Sequence, residues 1–362
     1  MAVSIDTALD VSAYTIPTDE PESDGTLEWS STTIVVVEAH AGGETGLGYT
    51  YADPSAAQLI GHTLAGAIRG VDPLDVGVAW EAMSHALRNI GRSGLAWMAL
   101  SAVDTALWDL KARLLEQPLV MVLDAAHEDV PVYGSGGFTS YSLERLSGQL
   151  AGWVEQGIPR VKMKLGREPD ADPRRLDEAR RAIGAETELF VDANGAFGRK
   201  DALAWAERYV DEWDVKWFEE PVSSEDVDGL RFLRDHAPPG LEIAAGEYGD
   251  TVPAFRRLAP VVDCLQADVT RCGGYTGLRR VAGLADAFDV DLSGHCAPQL
   301  SVHGLAAVPR LRHLEYFHDH VRVESLLFDG VLEPDCGSLT PDRSRPGNGL
   351  SMKREEAARW AL

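Results

Sequence analysis

Apolar and polar positions follow one rhythm in the first third of the chain and another in the rest. Ala8 to Pro17 and Thr32 to Ala39 read as strands, and Gly42-Gly43-Glu44-Thr45-Gly46, between Val37 and Tyr49, predicts a hairpin loop. Pro17 to Trp29 is a stretch of Pro, Asp, Glu, Ser and Gly that cannot bury itself, which predicts a mobile lid loop over 17–29. Helical spacing follows in Pro54 to Ile68, Val76 to Asn89 and Gly94 to Leu115. The last is the strongest, with Leu95, Met98, Ala99, Ala102, Ala106 and Leu110 on one face. Together these elements predict an α+β unit over residues 1–125.

From Val130 short apolar runs alternate with helical patterns. The runs are Pro131 to Gly134, Arg160 to Leu165, Leu189 to Ala193, Val215 to Glu219, Glu242 to Glu247, Asp263 to Val269, Val290 to Ser293 and Leu314 to Phe317. Eight strands alternating with helices predict a parallel β/α barrel; a doubly wound sheet usually needs fewer units, and no GxGxxG follows an early strand. Beyond His318 the chain carries Gly330, Pro334, Gly337, Pro341, Pro346 and Gly347, too turn-rich for another barrel unit. That tail is expected to run back over the first domain.

Composition narrows the class. The chain has 362 residues, 45% of them apolar, and 33 Lys+Arg against 57 Asp+Glu give a net charge of −24. This excludes collagen-like and disordered chains, and the acidity argues against nucleic acid as a partner, whose phosphates are met by clustered Lys and Arg. With no basic start leading into an apolar run, and no apolar stretch of about 18 residues, neither export nor membrane spanning is expected. Cys264, Cys272, Cys296 and Cys336 show no CxxC spacing, so a reduced cytoplasm is the expected compartment. Only six basic residues are lysines, and two of these, Lys162 and Lys164, stand two residues apart.

Those lysines open a series at the carboxyl ends of the predicted strands, where barrel active sites lie. It runs Lys164, Asp192, Glu219, Glu247, Asp268, His295, Glu315, at separations of 28, 27, 28, 21, 27 and 20 residues, one β/α unit each. A single carboxylate after a strand is commonly a helix cap; a series in register points into one site. Asp192, Glu219 and Glu247 on consecutive strands would repel one another without a cation among them, and all-oxygen ligation favours Mg²⁺ over Zn²⁺. Period two puts Lys162 and Lys164 on one face of their strand, where burial and mutual repulsion predict a lowered pKa and hence a usable base. Asp268 and His295 on consecutive strands allow a carboxylate to orient an imidazole. The glycine-rich Gly134 to Phe138 lacks a P-loop lysine and predicts no nucleotide cofactor.

The ordered set KxK, DxN, EEP, GE, D, H and a late E, behind an α+β unit, resembles the mandelate racemase subgroup of the enolase superfamily over essentially the whole chain. The resemblance implies an α/β fold, a modified TIM barrel of the (β/α)7β kind at 126–320. An N-terminal α+β capping domain would occupy 1–125, and a C-terminal segment, 321–362, would return to it. It further implies Mg²⁺ on Asp192, Glu219 and Glu247, and Lys164 as base on one face of a carboxylate substrate. His295 paired with Asp268 would act on the other face. Lys162 and Glu315 would sit at the substrate carboxylate, Glu315 as an electrophilic partner. A homo-oligomer is the usual assembly of the family.

Such a site removes a proton α to a carboxylate and stabilises the charge that develops. Loss of a β-hydroxyl as water would then give a 2-keto-3-deoxy acid, the expected outcome for a sugar acid. Racemisation or epimerisation, and cycloisomerisation of a sugar-acid lactone, use the same residues. A non-catalytic metal-stabilised acidic scaffold is the remaining alternative; it would be expected to have lost part of the set, and none is missing. The polar lid offers Asp24, Thr26, Glu28 and Trp29 to hydroxyls, and Trp29 and Asn194 are the expected substrate contacts. Mandelate racemase carries a lysine where this chain has Arg271.

Overall fold

The computed structural model describes residues 7–362. Three antiparallel strands, β1 (Ala8–Ser23), β2 (Glu28–Ala41) and β3 (Glu44–Tyr51), form a sheet in that order. The β2–β3 turn is Gly42-Gly43, both at positive φ (62° and 86°), as a two-residue turn matched to strand twist requires. The apolar residues Ile34 to Val37 and Tyr49 are buried, and the Leu95–Leu114 helix packs on the sheet. That packing is close: a Cβ on Gly46 would lie 2.3 Å from the Ala106 carbonyl oxygen, so only glycine fits.

The expected loop at 17–29 is corrected by the structure. Here β1 continues to Ser23 and β2 begins at Glu28, pairing Glu22 with Trp29 and Ser23 with Glu28 after an irregularity at Pro17. Asp24 closes the tip, its Oδ1 accepting from the backbone N–H of Thr26 (2.6 Å) and Leu27 (2.7 Å). The hairpin is held from outside itself. Thr139 N–H donates to the Ser23 carbonyl (2.8 Å), Ser140 Oγ to that of Pro21 (2.7 Å), and Arg145 pairs with Asp19 (2.7 Å). Polar strand residues need no core when a neighbouring surface satisfies them.

Eight parallel strands follow: β4 (Val130–Gly136), β5 (Arg160–Lys164), β6 (Glu188–Asp192), β7 (Val215–Glu219), β8 (Glu242–Ala245), β9 (Cys264–Ala267), β10 (Asp291–Gly294) and β11 (Leu311–Phe317). Each pairs with the next, and β11 pairs with β4 to close the barrel. Val161, Met163, Leu165 and both lysines are buried, because helices cover one face of the strand and the barrel interior the other. Tyr133, Phe190, Trp217, Ala244 and Cys264 fill the interior.

The capping sheet sits against the barrel mouth. Tyr49 Oη donates to Glu324 Oε1 (2.6 Å) and Tyr51 stacks on His320, both partners on the His318–Leu327 helix that follows β11. The chain end lies on the same sheet, with Arg354 on Glu38 (2.5 Å) and the Leu362 N–H on the Ala13 carbonyl (3.0 Å). Among the described residues no helix is long and apolar enough to cross a membrane.

Candidate active site

Strand register builds the site directly. Lys164, Asp192 and Glu219 are the last residues of β5, β6 and β7, and register pairs Lys164 with Asp192 and Asp192 with Glu219. Glu247, Asp268 and His295 follow β8, β9 and β10 within two residues, and Glu315 lies within β11. All seven, with Lys162, are buried.

The carboxylates of Asp192, Glu219 and Glu247 each offer an oxygen within 4.8 Å of the others'. Glu247 Oε2 lies 3.3 Å from His295 Nε2 yet has no hydrogen-bond partner among the described residues. An orphaned oxygen beside two more buried carboxylates fits a hard divalent cation, and Mg²⁺ prefers such an all-oxygen set. Burial raises Glu219 to about 8; Lys162 opposes that rise, and Asp192 and Glu315 add to it. Glu247 stays well below the ordinary range, burial being outweighed by His295, Lys164 and Arg271.

The lysines correct an expectation. Burial does act to lower both, but Lys162 touches Glu219 (2.5 Å) and Glu315 (2.8 Å), and Lys164 touches Asp192, so the carboxylates push both ammonium groups up. Each lysine answers more to its carboxylates than to the other lysine. Glu315 is likewise held ionised, burial being outweighed by Lys162 and His295. Its Oε1 accepts from Ser135 Oγ (2.6 Å).

On the opposite side Asp268 and His295 form the expected pair, Nδ1 to Oδ2 2.8 Å. Thr270 fixes the carboxylate through its N–H and hydroxyl, both 2.7 Å from Oδ1. Burial disfavours the imidazolium, but Cys296, Glu247, Glu315 and the bond to Asp268 push His295 well above its ordinary value. Arg271 braces this side, 3.5 Å from Asp268 and donating to the Glu247 carbonyl (3.2 Å).

A pocket of about 490 Å³ opens onto these groups between barrel and capping sheet. Lys164, Glu247, His295 and Asn194 line it, Asn194 with an unpartnered Oδ1. Lys162, Asp192, Glu219, Asp268 and Glu315 do not line it and lie beneath. Of the lid residues, Asp24, Leu27 and Trp29 reach the pocket. Thr26 bonds to Asp24 and Asn194, and Glu28 pairs with Arg167. The Trp29 indole N–H is taken by Glu22 (2.8 Å), leaving its ring, edge-on to Phe138, as the contact surface.

Two groups escaped the sequence reading. Glu220, at φ 38°, is buried with an unpartnered Oε1, and burial with Glu247 and Asp192 pushes it well up; the doubled glutamate before Pro221 was its signal. Cys296 lines the pocket with Sγ 3.4 Å from His295 Nε2 and 3.3 Å from Glu315 Oε2.

Comparison with known proteins agrees with this geometry. Residues 15–123 match the mandelate racemase / muconate lactonizing enzyme N-terminal domain, and residues 145–357 the enolase C-terminal domain-like family. The chain is 33% identical over 333 residues to a 3,6-anhydro-alpha-L-galactonate cycloisomerase from Streptomyces coelicolor, covering 88% of this chain and 89% of that one. It is 32% identical over 338 residues to the L-talarate/galactarate dehydratase of Salmonella typhimurium, covering 90% and 82%. That dehydratase's structure with Mg and L-lyxarohydroxamate matches with a TM-score of 0.89 at 29% identity, covering 99% and 93%. A mandelate racemase/muconate lactonizing enzyme-like protein from Rubrobacter xylanophilus matches with a TM-score of 0.97 at 59% identity, covering 98% and 99%.

Proposed function

The chain belongs to the enolase superfamily, in its mandelate racemase and muconate lactonizing subgroup, and on that premise we propose that it dehydrates a sugar acid to a 2-keto-3-deoxy acid. The shared chemistry of the subgroup, Mg²⁺-dependent removal of a proton α to a carboxylate, is the first half of that reaction. The observation that supports the second half is the His295–Asp268 pair, whose His295 lines with Lys164 a pocket with a capping wall that is hydroxyl-rich at Ser31, Thr32 and Thr33.

In this reading Asp192, Glu219 and Glu247 hold the metal. Bound there, Mg²⁺ supplies positive charge both to the three carboxylates and to the oxygens of the enediolate. With the charge of Asp192 met by a metal, Lys164 would release its proton to solvent and as the neutral amine take the α-proton. Lys162, fixed between Glu219 and Glu315, keeps a cation beneath the reacting carboxylate. His295, oriented through Nδ1 by Asp268, gives its Nε2 proton to the β-hydroxyl. The C–O bond breaks as the C=C bond forms, water leaves, and the enol becomes the 2-keto-3-deoxy product. Asn194 and the Trp29 ring border the bound sugar chain.

Incubation in D₂O with Mg²⁺ and a panel of sugar acids tests this. Solvent deuterium at the α-carbon together with keto-acid formation is expected; exchange without keto acid would make the protein an epimerase. The cycloisomerase relative favours a second reading, in which the enediolate expels a ring oxygen from its β-carbon, His295 protonates that oxygen as the C–O bond breaks, and the enol left behind becomes a keto acid isomeric with the substrate. A keto acid with the elemental composition of the substrate, solvent deuterium apart, would identify it.

A further inference from the structure

The pocket has two unlike walls. The barrel wall carries the basic side chains Lys164, held by Asp192, and Arg271, which gives one N–H to the Glu247 carbonyl (3.2 Å) and lies 3.5 Å from Asp268 with its Nε unpartnered among the described residues. The facing wall, from the hairpin tip, β2, the end of β3 and the start of the His318–Leu327 helix, carries Asp24, Asp53 and Asp319 among hydroxyl side chains.

Asp24 and Asp53 are only partly used, while Asp319 has both oxygens engaged. Asp24 and Asp53 accept their hydrogen bonds through Oδ1 alone, from Thr26 and Leu27 and from Ser55 respectively. Asp319 accepts from Thr32 Oγ1 and from Arg322 (2.9 Å), whose same nitrogen also serves the Pro17 carbonyl (2.7 Å). His320 adds no charge: burial pushes it down to about 3, and its Nδ1 accepts from the Ala297 N–H (3.3 Å). Just behind this wall burial, with Asp319 and Asp19 adding, raises Glu22 to about 8, the mark of a region that already resists another negative charge. The free oxygens of Asp24 and Asp53 suit hydroxyl donors, and a carboxylate arriving there would meet acceptors with no lysine or arginine among the described residues of that wall.

We infer that the substrate carries a single carboxylate, bound at the barrel wall, and that its far end is neutral and hydroxylated, so that monocarboxylic sugar acids, open-chain or cyclic, are accepted and aldarates are rejected by the aspartates of the capping wall. The inference rests on the proton-abstraction reading of the same site and names its substrate class.

The test pairs each aldonate with the aldarate of the same configuration, galactonate with galactarate and gluconate with glucarate among them. It adds cyclic monocarboxylates, and measures α-deuterium exchange and product formation with Mg²⁺. In every pair that reacts, kcat/KM for the monoacid is expected to exceed that for the diacid by at least about tenfold, and Asp53→Asn to narrow that ratio by removing one repelling charge. Diacids reacting as well as or better than their partners, or a ratio that Asp53→Asn leaves unmoved, would overturn the inference while leaving the chemistry standing. No exchange from any acid of either kind would overturn the proton-abstraction reading, and this inference with it.

Discussion

The two ends of the barrel are built from the same residue types and differ in how completely their charges are paired. At the amino-terminal end of the strands Arg160 meets Glu188 (3.1 Å), Arg312 meets Glu242 (3.0 Å) and Asp291 (3.0 Å), and Arg234 meets Asp263 (3.5 Å). These pairs are part-exposed and surround a cavity of about 700 Å³, larger than the active-site pocket. At the other end buried carboxylates crowd together, Glu247 and Glu220 with orphaned oxygens, and the lysines are shared among them. Volume and charge count therefore do not mark the working end; incompletely paired, desolvated charge does. The histidines repeat the contrast. His295 is driven up by carboxylates, whereas His313 is held neutral by burial and by Arg160 and Arg312, with Ser293 on its Nδ1 (2.8 Å).

Five perturbations would sharpen or break this contrast. The largest effect should come from removing the divalent ion: exhaustive chelation is expected to abolish turnover and re-addition of Mg²⁺ to restore it, and activity persisting in chelator would mean the buried carboxylates are structural. Lys164→Ala and His295→Asn should each lower kcat by about 10² to 10⁴-fold with the fold intact by circular dichroism. His295→Asn is expected to keep some α-deuterium exchange while losing keto-acid formation.

At the opposite end the effects belong to stability. Because His313 is kept neutral, the unfolded chain takes up a proton below its ordinary pKa of about 6.5 that the folded chain does not, so stability falls as pH falls below that value. Urea unfolding should show that slope reduced by roughly 1.4 kcal/mol per pH unit in His313→Gln. The smallest change should come from Arg312→Ala, costing about 1 kcal/mol or less with kcat unaltered, since its partners are part-exposed. A large loss of activity there would put the larger cavity into the mechanism.

Much of this molecule was legible along the chain. The run Val215 to Glu219 is β7 to the residue, and Leu189 to Ala193 differs from β6 by one position at each end. Strand β11 begins three residues before the expected Leu314, because Arg312 and His313 interrupt its apolar run; both serve the opposite end of the barrel. The hairpin at 17–29 was hidden for a similar reason. Its polar residues bond to Thr139, Ser140 and Arg145, partners more than a hundred residues away that no local window contains.

One polar residue per β/α unit is a property of the sequence alone, because strand period and unit length are local and repeat along the chain. From it follow the barrel, the carboxylate trio and the His–Asp pair. Protonation states were decided by the tertiary structure. Lys162 and Lys164 read as mutually repelling bases until β6, β7 and β11 brought Asp192, Glu219 and Glu315 against them, and Coulomb energy depends on distance in space and local dielectric, neither of which is written in residue order. The acidic wall facing them is likewise assembled from segments some three hundred residues apart, Asp24 and Asp319, which meet only when the capping sheet closes on the barrel.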